Sequence, residues 1–287
     1  MRVAGVILIT FTHIRHDFTD GAAYFILETI PKYGTLLLSV ISGYLFCMNP
    51  YSSGNLLRKK IKSLLIPFLI SNLAVLIPVL VFHFFGYDYL NRLEYNTILI
   101  TEGLLSLSSV PVNPPTYFIR DLFVIFCLIS LLRKNYWSLL FILPLLFFGK
   151  LILRWDIFYL FITGFIIRKY ALEEKNKIII NAIGALLIII SLYVFKEKEL
   201  HRYAIAVLIF INVVTLKFKF VTTGAYTYLL HLYHTPIMIF LFPILHAIYP
   251  QPYFETVAQI SLSLFFCYIF FLLIRRFKLM FIVGNRN

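Results

Sequence analysis

The sequence predicts an all-α polytopic membrane protein, because its composition and the arrangement of its apolar residues both argue against a water-soluble fold. Of its 287 residues, 61% are hydrophobic and 14% are charged, and the mean hydropathy is +0.88. Soluble domains are about 45–50% apolar and about 25% charged. The apolar residues also form unbroken blocks, such as residues 178–195, whereas a membrane barrel would alternate polar and apolar positions. Helices satisfy every backbone hydrogen bond internally, so helices are expected to span the lipid.

About ten apolar segments approach the length of about 20 helical residues that crosses a membrane. They lie at residues 2–16, 34–48, 63–85, 116–132, 137–152, 155–167, 178–195, 203–216, 224–248 and 255–274. Residues 97–109 are also apolar, but they contain Glu102 and lead into three prolines, which favours a lid or re-entrant segment. No internal repeat or soluble domain is visible, so residues 1–287 are expected to form a single transmembrane domain.

The basic residues set the expected orientation. The net charge of +13 would suggest a nucleic-acid partner in a soluble protein, but in membrane proteins Lys and Arg gather in cytoplasmic loops. With both termini inside, most of the 26 basic residues fall on the cytoplasmic side. We therefore expect a multi-pass protein of the inner (cytoplasmic) cell membrane, oriented N-in and C-in, that contacts lipids and no nucleic acid.

Ionisable residues within apolar segments are energetically costly, so each is a candidate functional residue. Arg2 and His13 lie in the first segment. Their separation corresponds to about three helical turns and a rise of about 16 Å, so the two side chains would share one face of a helix. His16 lies one turn beyond His13. A histidine here suits a general base at neutral pH, and the alternative is a helix-end histidine at the lipid interface.

Two further motifs allow both a structural and a functional interpretation. The run Ser42-Gly43-Tyr44 lies in the second segment, where small residues let helices approach closely, and packing alone would explain it. The basic run Arg58-Lys59-Lys60-Ile61-Lys62 precedes Pro67. Its partner is either anionic lipid headgroups or a phosphate-rich cofactor, and composition does not separate the two.

Two pairs in later segments complete the candidates. Arg120 and Asp121 are adjacent, so they point about 100° apart on a helix, and an ion-pair clasp between helices and a direct active-site role both stay open. His231 and His234 are spaced i, i+3, with Tyr228 one turn before His231. Two histidines on one face suggest a metal, but no CxxC, HExxH or acidic cluster accompanies them, so no metal site is predicted.

Taken in order, these motifs resemble the acyltransferase 3 family, the integral-membrane acyltransferases that modify cell-surface carbohydrates. The family's first span carries an Arg, ten residues and a His, as Arg2 and His13 do here. Later patterns of the family are similar to Ser42-Gly43-Tyr44-Leu45, to the basic residues 58–67, to Tyr117-Phe118-Ile119-Arg120-Asp121-Leu122 and to Tyr228-Leu229-Leu230-His231. Tyr117 stands where the family usually has tryptophan.

The resemblance implies an O-acyltransferase that moves an acyl group, usually acetyl, from cytosolic acyl-CoA to a sugar hydroxyl of a cell-surface polysaccharide or its lipid-linked precursor. Acetyl-CoA would then be a donor substrate, and no cofactor would be bound permanently. The implied roles are phosphate binding by Arg2, Arg58, Lys59, Lys60 and Lys62; general base or acyl carrier by His13; oxyanion stabilisation by Arg120, Tyr117 and Ser42; and orientation of a neighbour by Asp121. Further candidates are His16, Tyr228 and His231.

Two other classes of protein stay open at this point. A transporter or flippase for a lipid-linked glycan could use the same charges to line a path, and stabilisation by CoA would distinguish the transferase from it. A structural subunit would explain the composition but not the ordered motifs. The acceptor glycan, the acyl group, the side of the membrane where transfer occurs and the oligomeric state also stay open.

Overall fold

The structure, a computed structural model, describes residues 1–14, 18–48, 56–88, 93–195, 200–216 and 224–286. It is 82% helix, and no strand occurs in these ranges. The predicted all-α fold is therefore confirmed. His16, one of the candidates from the sequence, lies outside the described residues.

The helices follow the predicted apolar segments. In chain order the α-helices are α1 (Arg2–Phe11), α2 (Gly21–Tyr24), α3 (Tyr33–Met48), α4 (Leu56–Lys60), α5 (Ile66–Phe84), α6 (Tyr117–Leu132), α7 (Leu139–Phe148), α8 (Trp155–Lys169), α9 (Leu172–Lys175), α10 (Lys177–Ile190), α11 (Leu200–Val214), α12 (Gly224–Ile248) and α13 (Pro252–Arg276). The π-helical turns are Phe25–Thr29, Ile61–Leu65, Leu99–Leu104 and Ser191–Phe195, and the 3₁₀ turns are Ile30–Lys32, Pro114–Thr116, Tyr136–Ser138 and Met280–Val283.

Five helical stretches within the described residues are long and apolar enough to cross a membrane. They are Gly21–Met48, Leu56–Phe84, Pro114–Leu132, Gly224–Ile248 and Pro252–Arg276. Shorter apolar helices occupy most of the other predicted segments. These helices agree with the predicted membrane character of the chain. The count of ten spans and the N-in, C-in orientation stay predictions.

The first predicted segment is shorter in the structure than in the sequence analysis. The α1 helix ends at Phe11, because the hydroxyl and the backbone N–H of Thr12 both donate to the Ile9 carbonyl, at 2.7 and 3.1 Å. Such local side-chain bonds compete with helix continuation. His13 lies in the turn that follows, so the expectation that Arg2 and His13 share one helical face is wrong.

The chain divides into two compact units. Unit 1 comprises Met1–Thr12, Phe18–Pro50 and Arg154–Thr222. Within it, α3 and α8 pack so closely that a Cβ on Gly43 would lie 1.8 Å from the Phe161 carbonyl oxygen, and a Cβ on Gly164 would lie 2.0 Å from the Val40 carbonyl oxygen. Only glycine fits at such a crossing. Helix packing thus accounts for the glycine of the Ser42-Gly43-Tyr44 run.

Unit 2 comprises His13–Asp17, Tyr51–Leu153 and Thr223–Asn287. It contains α4 to α7, α12 and α13, and it holds most of the candidate residues. The segment predicted as a lid or re-entrant element forms the six-residue π-helix Leu99–Leu104, too short to cross a membrane. This turn packs against buried side chains of α5 and of neighbouring loops, namely Leu76, Leu93 and Val112.

Candidate active site

Three imidazole rings lie close together in unit 2. His231 and His234 come from one face of α12, as their spacing predicts, and His13 comes from the turn after α1. The ring centroids of His13 and His234 are 5.2 Å apart, and those of His231 and His234 are 6.5 Å apart. The sequence identified His13 and His231 as separate candidates, and the tertiary structure places both beside His234.

The buried nitrogens of these rings are largely without partners. The Nδ1 atom of His234 lies 2.7 Å from the Leu230 carbonyl oxygen. Its Nε2 atom and both ring nitrogens of His231 have no hydrogen-bond partner among the described residues. The edge of Phe118 packs on the His231 ring at 5.7 Å. A buried polar atom without a partner costs about 1–3 kcal/mol, so this cluster is suited to receive a polar group from a substrate.

A proline within α12 ties a loop to this cluster. Pro236 has no N–H, so the Leu232 carbonyl, four residues earlier, loses its usual helical partner. The Asn113 side chain replaces that partner and donates to the Leu232 carbonyl at 2.7 Å. The Oδ1 atom of Asn113 has no partner in the described part of the chain. The sequence analysis did not identify Asn113. The feature of the sequence that could have indicated it is a polar residue placed among prolines.

The same loop is fixed to α5 and positions the start of α6. The Asn113 backbone N–H donates to Asn72 Oδ1 at 3.1 Å, and Asn72 Nδ2 donates to Thr116 Oγ1 at 3.0 Å. Asn72 and Thr116 are fully buried. Tyr117, the first residue of α6, follows directly and is partly exposed.

Arg120 is buried, and all five of its N–H donors are engaged. They reach the carboxylate of Asp121 at 2.8 Å and the four backbone carbonyls of residues 106, 107, 150 and 151. The Oδ1 atom of Asp121 also accepts the backbone N–H of Leu153 at 3.1 Å. The pair therefore clasps two loops onto α6, which favours the structural interpretation. A role for Arg120 as an oxyanion donor would require one of these bonds to break.

Glu102 organises one of the two clasped loops. Its carboxylate accepts hydrogen bonds from the backbone N–H and the hydroxyl of both Ser108 and Ser109, at 2.6 to 2.9 Å. Partial burial raises the pKa of this carboxyl, but these bonds outweigh the burial and hold the pKa below its ordinary value. Glu102 therefore remains ionised and keeps the loop closed.

The basic run is connected to α12 within unit 2. Arg58, Lys59 and Lys62 are exposed, and Lys60 places its Nζ atom 3.7 Å from the centroid of the Phe126 ring. Beside this run, the Tyr228 hydroxyl donates to the Ser63 carbonyl at 3.1 Å, and the Arg286 guanidinium lies 3.5 Å above the Tyr228 ring. Tyr228 is one helical turn before His231. Arg286 was not identified from the sequence.

Two predicted residues lie in unit 1. Arg2 is the exposed first residue of α1. The hydroxyl of Ser42 donates to the Leu38 carbonyl in its own helix at 2.7 Å. Its neighbour Tyr44 donates to Glu173 at 2.8 Å, and Arg168 donates to the same carboxylate at 3.2 Å. The second-segment motif is thus engaged in contacts within unit 1.

The chemistry available in unit 2 is that of imidazoles, a buried amide and nearby cations. Within the described ranges, no group of three or more His, Cys, Asp or Glu side chains is arranged to hold a metal ion. An imidazole can accept a proton from a hydroxyl or accept an acyl group.

A family model for the acyltransferase 3 family, described as an acyltransferase domain, matches residues 1–276. No curated protein and no solved structure matches the chain. The family match includes the histidine cluster, the basic run and the Arg120–Asp121 pair.

Proposed function

The chain belongs to the acyltransferase 3 family, and from this premise we propose that it moves an acyl group, in the simplest case acetyl, from cytosolic acyl-CoA to a hydroxyl of a cell-surface polysaccharide or of its lipid-linked precursor. Family membership together with five long apolar helices supports a membrane acyltransferase. The donor, the acceptor and the residue roles given below are our proposal.

The observation that carries this proposal is that the basic run and His13 both lie against the same helix, α12, within unit 2. The run meets α12 at Tyr228 through Ser63, and Tyr228 is about 9 Å along the helix axis from His234. His234 in turn lies beside His13. CoA carries phosphates at one end and a thioester at the other, so cations at one end of this stretch of α12 and an imidazole at the other suit its two ends.

The phosphates would bind the exposed cations of the basic run. Arg58, Lys59 and Lys62 are exposed and adjacent in sequence, and phosphate groups are bound by such clusters through charge-assisted hydrogen bonds. Lys60 lies against the Phe126 ring and would contribute its positive charge to phosphate binding from that position. The phosphate-binding role that the resemblance implies for Arg2 stays a prediction.

His13 would act on the acceptor hydroxyl. It takes the hydroxyl proton as the oxygen attacks the thioester carbonyl; the C–O bond forms, the C–S bond breaks, and the proton passes to the thiolate of CoA. If His13 instead carries the acyl group, the same bonds exchange in two steps and the overall reaction is unchanged. Tyr117 is a proposed donor to the oxyanion, and Asp121 orients Arg120. The role that the resemblance implies for Ser42 stays a prediction.

The test uses the purified full chain in lipid nanodiscs. We expect radiolabelled acetyl-CoA to transfer its acetyl group to glycolipid extracted from the source organism, with stoichiometric release of CoA. His13→Ala should lower this turnover by at least about 10²-fold, the usual contribution of a general base. The matched control is His83→Ala, since His83 is exposed and pairs only with Asp88 and the Tyr95 ring among described residues; it should retain full turnover.

The role of the basic run is tested by the KM for acetyl-CoA. Replacing Arg58 and Lys62 with alanine together should raise the KM for acetyl-CoA and leave kcat unchanged, because the phosphates bind far from the reacting atoms.

Wild-type turnover in His13→Ala would contradict the role of His13. A protein that neither turns over acetyl-CoA nor is stabilised by CoA against heat would contradict the donor and favour a glycan transporter.

A further inference from the structure

The protonation state of His234 follows from its contacts. Its Nδ1 atom lies 2.7 Å from the Leu230 carbonyl oxygen, and a carbonyl oxygen only accepts, so Nδ1 carries a proton. The ring is fully buried, where a charged imidazolium without a counter-ion would be costly. The neutral ring has one N–H, so its Nε2 atom carries a lone pair and can only accept.

Among the described residues, His13 is a suitable donor to the lone pair of His234. No described residue donates to Nε2. Two imidazoles joined by an N–H···N bond of about 3 Å have centroids about 5 Å apart, and the His13 centroid is 5.2 Å from that of His234. His231 is too far for such a bond, at 6.5 Å. A small reorientation of His13, which lies in a turn, makes the bond, and catalytic hydrogen bonds often tighten only when substrate binds.

We propose that His234 is a positioning residue for His13: its Nε2 atom accepts the N–H of His13 and thereby fixes which nitrogen of His13 keeps the lone pair. The inference rests on the proposed function of His13. A neutral histidine acts as a base through its unprotonated nitrogen, and the partner of the other nitrogen decides which one that is. His234 thus directs the basic nitrogen of His13 away from α12 and toward the reacting hydroxyl.

The test compares two substitutions that differ in one acceptor. His234→Gln places an amide oxygen close to the former position of Nε2, whereas His234→Phe keeps a ring and removes the acceptor. The matched control is Tyr233→Phe, since Tyr233 is the neighbouring buried ring and packs edge-on against Phe270 at 5.1 Å. The readouts are the tautomer of His13, from ¹⁵N-histidine NMR in nanodiscs with His13→Ala for assignment, and the kinetics of acetyl transfer.

We expect a single His13 tautomer in the wild type, in Tyr233→Phe and in His234→Gln, and a mixture of both tautomers in His234→Phe. In His234→Phe the kcat should fall roughly 10²-fold with the KM for acetyl-CoA unchanged, and His234→Gln should retain kcat within about tenfold of the wild type. If the phenylalanine variant does not fold, His234→Asn replaces it, because its shorter amide does not reach the position of Nε2.

Two outcomes would overturn the inference. One is an unchanged His13 tautomer after the acceptor is removed. The other is an equal loss of kcat in the glutamine and phenylalanine variants, which would indicate a packing role. If the wild type neither transfers an acyl group nor is stabilised by CoA, the proposed function fails, and the NMR measurement still decides whether His234 sets the tautomer of His13.

Discussion

Replacing Arg120 by lysine tests whether this buried arginine acts as a clasp. The guanidinium donates five hydrogen bonds, to the carboxylate of Asp121 and to four backbone carbonyls of two loops. The substitution keeps the positive charge, so it removes hydrogen bonds without leaving Asp121 uncompensated. The change in stability therefore reports the geometry of the guanidinium and not its charge.

The expected magnitude follows from counting donors. An ammonium group has three N–H donors and a guanidinium has five, so at least two of the buried acceptors lose their bond. Hydrogen bonds that involve a charged group contribute about 1.5–3 kcal/mol each, which gives a loss of about 3–6 kcal/mol in the free energy of unfolding. The entropy of unfolding is about 2.1 cal/mol/K per residue, or about 0.6 kcal/mol/K for a chain of this length. We therefore expect Arg120→Lys to lower the Tm by about 5–10 °C.

The assay is thermal unfolding in nanodiscs, monitored by intrinsic fluorescence, together with limited proteolysis of the loops that contain Ser106 and Lys150. The matched control is Arg154→Lys, because Arg154 pairs with Asp156 at an exposed position and exposed pairs contribute about 0.2–1 kcal/mol. The control should lower the Tm by no more than about 2 °C. Equal Tm values for the two variants, with unchanged proteolysis, would refute the clasp.

Three more predictions concern packing, a helix carbonyl and pH. Gly43→Ala should destabilise the protein by about 1–3 kcal/mol, the usual cost of overpacking, because its Cβ would meet the Phe161 backbone. The control Gly103→Ala, whose Cβ would have no contact closer than 3.5 Å, should leave the Tm unchanged. Similar Tm values for the two variants would contradict the close helix crossing. Asn113→Ala should cost about 1–3 kcal/mol by leaving a buried carbonyl unpaired, and chemical unfolding that matches the wild type would count against it. The pKa of Glu102 is lowered in the folded protein, so its stabilising contribution is complete above the ordinary carboxyl pKa and is lost as the pH falls through the folded-state pKa. Glu102→Gln should therefore give a flatter curve of Tm against pH in the acid range. Parallel curves for the variant and the wild type would refute this.

The sequence located the candidate site in part. His13, His231 and Tyr228 were identified from spacing and resemblance, and the structure brings His13 and His231 beside His234, with Tyr228 one turn away. Arg120 and Asp121 were left between two roles, since adjacent residues on a helix do not reveal their partners. The structure supplies those partners, and four of them are backbone carbonyls, which no side-chain pattern in a sequence encodes.

The extent of α1 was mispredicted for a local reason. The predicted segment extends to residue 16, but the Thr12 hydroxyl donates to the Ile9 carbonyl and the helix ends at Phe11. Asn113 and Arg286 were missed because neither lies in a periodic apolar segment. Asn113 donates to the Leu232 carbonyl and Arg286 donates to the Ser63 carbonyl at 3.4 Å, and each partner is more than a hundred positions away along the chain.

The sequence by itself determined the all-helical fold, the membrane character and the order of the apolar segments, because these depend on local composition and on the need of the backbone for internal hydrogen bonds in lipid. It also supplied the family motifs. Only the tertiary structure decided that His13 lies beside His234 and that Asn113 replaces the partner removed by Pro236. It also decided that Arg120 donates to four backbone carbonyls of two loops as well as to Asp121. These features depend on which distant segments pack together, and packing selects the partner of each buried polar atom.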